Sequence, residues 1–173
     1  MNHIGSIMSK TATAIVWPSD LDPTVASFHV RNELETDLAP ERIWPWLVHA
    51  RRWPELYADA SRVRTPAAEL VLGMRFTWRT LGVGVTTVIE ESVPNERLAW
   101  RGSGVGAKGY HAWVFERRGT GTCLVTEETQ RGLMPSLFRS RLQPRLRDCH
   151  KRWLEGLVRA ARLGHPDTVA AVA

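Results

Sequence analysis

The amino-acid sequence predicts an α+β domain in which an antiparallel sheet is covered by one long C-terminal helix. Segments of alternating polarity follow one another from residue 74 to residue 131, divided only by short Gly, Pro and Asn turns. A single stretch, residues 135 to 163, instead repeats its apolar residues at three- and four-residue spacings. The 173 residues, 43% hydrophobic and 24% charged, suit one domain able to bury a full core without disulfides or metal.

Residues 1–25 lack periodicity and contain Pro18 and Pro23, so a flexible or loosely attached leader is expected there. Residues 26–164 form the expected domain. Its first strand is SFHVRNELET (27–36), where Phe28, Val30, Asn32 and Leu34 share one face. Pro40 is a good first helical residue and Glu41 suits the positive end of the helix dipole, which predicts a helix running to about Val48. Pro45 and Pro54 then favour two short helices over one long one. A short strand near 61–65 precedes the main strands at 74–81, 83–93, 96–102, 107–118 and 122–131. In the C-terminal helix, Pro144 predicts a kink or a split. Gly164, His165 and Pro166 end the helix, and residues 165–173 read as a frayed tail.

Composition excludes several function classes. The N-terminus carries neither a basic, apolar secretory pattern nor a run near 18 apolar residues, so no signal and no membrane span are expected. Cys123 and Cys149 are too few for a disulfide framework, which makes a reducing, cytoplasmic location the default. The net charge of +5 comes largely from arginines and a lysine between Arg131 and Arg162. With no nucleic-acid motif beside them, they read as a solvated helix face, and nucleic acid is not an expected partner. An interaction module built on this basic helix remains an alternative. RGSGVGAKG (101–109) lies between strands and lacks a GK[ST] ending, so it is not a nucleotide loop, and no G-x-S-x-G elbow occurs. His3, His29, His49, His150 and His165 show no metal spacing. Neither a metal nor a cofactor is expected.

LAPERIWPWLVHARRWPELY (38–57) and GYHAWVFERRGTGTCLVTEE (109–128) resemble, respectively, the Ala-Pro, Trp and Trp-Pro pattern and the paired late strands of the SRPBCC superfamily. The likeness covers residues 27 to 163. It is closest in kind to polyketide cyclase/dehydrase-like members, and more distant from START lipid-binding and Bet v 1-like proteins. It implies a helix-grip fold: a curved antiparallel sheet wrapped around the long C-terminal helix, with two short helices after the first strand. It also implies an apolar cavity between sheet and helix. At about 24 cal/mol per Å³, a cavity of roughly 400 Å³ would cost on the order of 10 kcal/mol if empty, comparable to a domain's net stability of about 5–15 kcal/mol. A ligand, water or large side chains are therefore expected to fill it.

The candidate site follows from strand faces. On strand 107–118, Gly109, His111, Trp113 and Phe115 share the aromatic-rich face, which is assigned inward. His111 is then either a core histidine satisfied by its neighbours or a ligand-facing acid/base. Met74, Phe76 and Trp78, with Leu98 and Trp100, are assigned to the same interior, as packed core or as cavity wall. Alignment of GTCLVTEE with the family's late strand turns Leu124, Thr126 and Glu128 inward, where Glu128 could approach His111. Leu142, Leu146, Cys149 and Trp153 on the helix complete the expected ligand-binding set. One of Glu90 and Glu91 is expected at the mouth.

These residues support two main readings. In the first, the cavity sequesters a small hydrophobic or aromatic molecule. In the second, the protein is a polyketide aromatase or cyclase acting on a poly-β-ketone chain, with His111 shuttling protons and Glu128 orienting it. A homodimer is compatible with either. Fold likeness does not decide between them.

Overall fold

Every strand expected between residues 74 and 131 forms, and each pairs with its neighbour in sequence. The structure is a computed structural model and describes residues 15–170. Its elements are β1 (Phe28–Thr36), α1 (Pro40–Val48), a 3-10 turn (Ala50–Arg52), α2 (Trp53–Leu56), β2 (Ser61–Arg64), β3 (Arg75–Thr80), β4 (Val83–Val93), β5 (Arg97–Gly104), β6 (Ala107–Arg118), β7 (Gly121–Gly132), α3 (Leu133–Leu137) and α4 (Arg139–Leu163). They build one seven-stranded sheet in the order β1-β7-β6-β5-β4-β3-β2. All pairings are antiparallel, and β1 returns to lie beside the last strand, β7.

Alternation along the strands divides the sheet into two faces. Phe76, Trp78, Leu98, Trp100, Trp113, Phe115 and Leu124 join one interior cluster with α1, α2 and α4. α4 lays Leu146, Cys149, His150, Trp153, Leu154, Leu157 and Ala161 against this interior. The result is the α+β helix-grip architecture. Gly156 allows the helices to meet closely, since a Cβ there would lie 2.1 Å from the carbonyl oxygen of Leu56 at the end of α2.

The outer face is also covered. Of the leader expected over residues 1–25, residues 1–14 lie outside the described residues. Beyond them, Leu21 is buried with Ala99, Tyr110 and Ala112, and Ile15 packs against Val114, Cys123 and Val125. Thr129 Oγ1 donates to the Leu21 carbonyl at 2.7 Å, and Arg101 pairs with Asp20 at 2.8 Å. Of the expected tail, residues 171–173 lie outside the described residues. Before them, Thr168 N donates to the His165 carbonyl at 3.0 Å, and Arg52 Nη1 donates to the Val169 carbonyl at 3.1 Å.

Of the kink or split expected at Pro144, the split is corrected. α4 continues through Pro144, and the break falls at Phe138, between α3 and α4. Proline at the sixth position of the helix leaves only the carbonyl of Ser140 without its usual partner. Ser140 is exposed in the first turn, where a freed carbonyl costs little.

Candidate functional site

A cavity of about 290 Å³ opens between α4 and the five strands β3 to β7. Its apolar wall includes Trp78, Trp100, Trp153, Val85, Leu142 and Leu146. The position of each follows from the two periodicities: alternate residues of a strand face α4, and residues three or four apart on α4 face the sheet. Tyr57 adds its ring, stacked on Trp153 at 4.9 Å between centroids, and its hydroxyl meets Thr80 Oγ1 at 3.2 Å. Burial pushes the Tyr57 phenol far above its usual range, with the Thr80 hydrogen bond opposing in part.

Three polar groups of the wall, His111, His150 and Gln130, gather around the carboxylate of Glu128. His111 and Glu128 are direct cross-strand partners on β6 and β7. Glu128 Oε2 lies 3.2 Å from His111 Nδ1 and 3.2 Å from His150 Nε2. The two imidazoles stack with centroids 4.7 Å apart and an interplanar angle of 20°. Gln130 Nε2 donates to the other carboxylate oxygen at 2.7 Å, and His111 Nε2 meets Thr126 Oγ1 at 2.6 Å. His150 Nδ1 is buried and has no partner among the described residues, so this ring's hydrogen bonding is spent on Glu128.

Burial keeps His111 neutral by lowering its pKa well below the ordinary histidine range; the Glu128 charge opposes this and His150 adds to it. Burial would raise the Glu128 pKa, but electrostatic attraction to the adjacent imidazoles and the hydrogen bonds from His150 and Gln130 outweigh it and hold the carboxyl below its usual value. The site therefore sets an ionised carboxylate between two imidazoles inside a largely apolar enclosure. Such a group of atoms can accept or relay a proton, hydrogen-bond a ligand oxygen, or ligate a cation.

The expected site residues divide into two sets. Trp78, Trp100, His111, Glu128, Leu142, Leu146 and Trp153 lie on the cavity wall. Met74, Phe76, Leu98, Trp113, Phe115, Leu124 and Cys149 belong to the packed interior cluster instead, while Thr126 supports His111 from behind. For Phe76 the physical reason is Trp53. Its ring packs 5.0 to 5.7 Å from those of Phe76, Trp78, Trp100 and Trp153 and fills the space between α2 and the sheet. Cys149 Sγ lies 3.5 Å from Asp59 Oδ2, and burial raises its thiol pKa. Glu90 and Glu91 pair with Arg101 and Arg97 away from the cavity.

His150, Tyr57 and Gln130 are wall residues absent from the expected set. A signal for His150 existed in the helix. It falls on the stripe formed by Leu146, Trp153 and Leu157, at spacings of four, three and four residues.

No protein-family model and no curated protein matches the sequence. Solved structures do match. A hypothetical protein of Helicobacter pylori is 27% identical, with a TM-score of 0.80 over 88% of this chain and 98% of that one. DynU16, a protein of the dynemicin biosynthetic locus, is 18% identical, with a TM-score of 0.58 over 76% of this chain and 48% of that one. Ara h 8.0201, a Bet v 1-like protein, is 10% identical, with a TM-score of 0.60 over 79% of this chain and 98% of that one.

The chain has the SRPBCC, Bet v 1-like fold. The gripped helix is α4, and the cavity lies between it and the sheet. Among the described residues, no helix is long and apolar enough to cross a membrane.

Proposed function

We propose that this SRPBCC protein binds a small, flat apolar or aromatic molecule carrying a polar oxygen. The observation that carries this reading is the two-part lining of one cavity: Trp78, Trp100, Trp153, Leu142 and Leu146 on the wall, with His111, Glu128 and His150 in the same enclosure. Aromatic faces favour planar ligands, and a few placed polar groups orient them. At about 24 cal/mol per Å³, a dry cavity of 290 Å³ would cost at most about 7 kcal/mol, so occupancy would be strongly stabilising.

The test is titration of the purified protein with environment-sensitive aromatic dyes, read by dye emission and by tryptophan quenching. Val85→Phe puts a ring into the cavity from β4. It should weaken dye binding at least tenfold while the thermal midpoint holds. Equal affinity in a folded Val85→Phe protein would show that dyes bind elsewhere and would overturn the reading.

A cyclase reading is favoured by the buried His111–Glu128 pair. Aldol closure of a poly-β-ketone removes a proton from a carbon between two carbonyls. That carbon then attacks a further carbonyl, and the resulting alcohol is lost as water. Neutral His111 would carry the proton and Glu128 would orient the ring, while the cavity supplies proximity.

A further inference from the structure

Two imidazoles and a carboxylate from three different elements converge on one point. His111 comes from β6, Glu128 from β7 and His150 from α4, and one potential ligand atom of each lies within 4.8 Å of the others. Their contacts are long for charge-assisted hydrogen bonds: 3.2 Å from Glu128 Oε2 to each imidazole nitrogen, against about 2.7–2.9 Å for well-formed N–H···O⁻ pairs. The two carboxylate–imidazole spacings suit ligands of a shared cation, and the two imidazole nitrogens, now within 4.8 Å of each other, would share it at about 4.1 Å or less. Donors about 2.0–2.1 Å from a metal and separated by 3.2 Å subtend about 100° at it, between the octahedral and tetrahedral angles.

The surroundings also fit. The Thr126 hydroxyl holds the far nitrogen of His111 at 2.6 Å, and Gln130 holds the second oxygen of Glu128 at 2.7 Å. Supporting hydrogen bonds of this kind fix the orientation of ligating imidazoles and carboxylates. Among the described residues Glu128 has no Arg or Lys ion pair; its ion-pair partners are the two imidazoles. All three residues line the cavity, so coordination positions they do not fill open into it.

We propose that His111, Glu128 and His150 bind one divalent transition-metal ion of the zinc or iron(II) class, with an open position toward the cavity. Two nitrogens and one oxygen form the donor set of catalytic zinc and non-haem iron(II) sites, and they exclude the soft, sulfur-rich class. The inference does not depend on the organic ligand, because the metal alone is the probe.

Chelator-treated full-length protein is titrated with Zn²⁺ by calorimetry and with Co²⁺ by visible absorption. One ion per chain is expected, with Co²⁺ bands of nitrogen and oxygen ligation. His150→Gln and Glu128→Ala should each weaken Zn²⁺ binding at least a hundredfold. His165→Gln, beside the exposed Asp167, should leave it unchanged. X-ray absorption of the Zn²⁺-loaded wild type keeps the test valid even if a variant fails to fold. Sulfur ligation, no saturable binding to the wild type, or undiminished affinity in a folded His150→Gln protein would each overturn the proposal.

Discussion

The rings of His111 and His150 stack 4.7 Å apart, although one stands on β6 and the other on α4, and Glu128 Oε2 lies 3.2 Å from a nitrogen of each. One carboxylate therefore bridges helix and sheet within their packed interface. Removing one partner from a buried polar group costs about 1–3 kcal/mol. His150→Leu should lower the urea-derived stability by that amount, because Glu128 keeps its charge and loses a donor. A variant as stable as the wild type would show that the carboxylate is already well solvated.

Replacing His111 separates the binding and cyclase readings. Under binding, His111→Gln keeps a polar group and should change ligand affinity by about 0.5–1.5 kcal/mol, the range for one neutral hydrogen bond. Under cyclisation, turnover of a poly-β-ketone substrate should fall about 10²–10⁴-fold. Turnover that survives in His111→Gln would remove His111 from the proton path.

The two tyrosines of the chain, Tyr57 and Tyr110, are both buried. Burial raises both phenol pKa values above the ordinary range, and the Glu91 charge raises Tyr110 further. The folded state thus keeps two protons that the unfolded state begins to lose near pH 10, so stability falls as pH rises above about 10. Ultraviolet titration should show no tyrosinate near pH 10 in the folded protein, and ionisation should coincide with loss of the tryptophan circular-dichroism signal. A phenol titrating near pH 10 in folded protein would contradict this.

Wall and core tryptophans should respond differently. Trp113 is fully buried in the packed cluster, so Trp113→Ala should cost about 3–5 kcal/mol and leave dye affinity within about twofold. Trp100 lies on the cavity wall, so Trp100→Ala should change dye affinity at least fivefold. Matching effects of the two variants on dye binding would refute the division.

Much of this arrangement was legible in local patterns. Alternation on β6 turns His111 and Trp113 to one face, and alternation on β7 does the same for Thr126 and Glu128. Those two readings put His111 and Glu128 on one face, and the tight turn that pairs Arg118 with Gly121 makes them neighbours. The contribution of His150 was not legible from spacing between histidines, because a helix and a strand far apart in sequence bring their side chains together only through packing. Trp53 was hidden for the same reason. Nothing in ARRWPEL states that this ring, anchored by its Nε1 donating to the Leu47 carbonyl at 2.9 Å, crosses the interior. Pro144 misled because a local rule was applied without its position in the helix. In the second turn, the lost hydrogen bond concerns the carbonyl of an exposed first-turn residue, and the helix runs on unbroken.

Trp53 stands one ring behind the cavity wall: it does not line the cavity, but its ring packs against Trp78, Trp100 and Trp153, which do. The wall is thus held by a side chain that has no surface on it. Shortening residue 53 would free those three indoles to retreat toward Phe76 without altering the strand register. The depth of the cavity can therefore change by one codon on an otherwise constant scaffold.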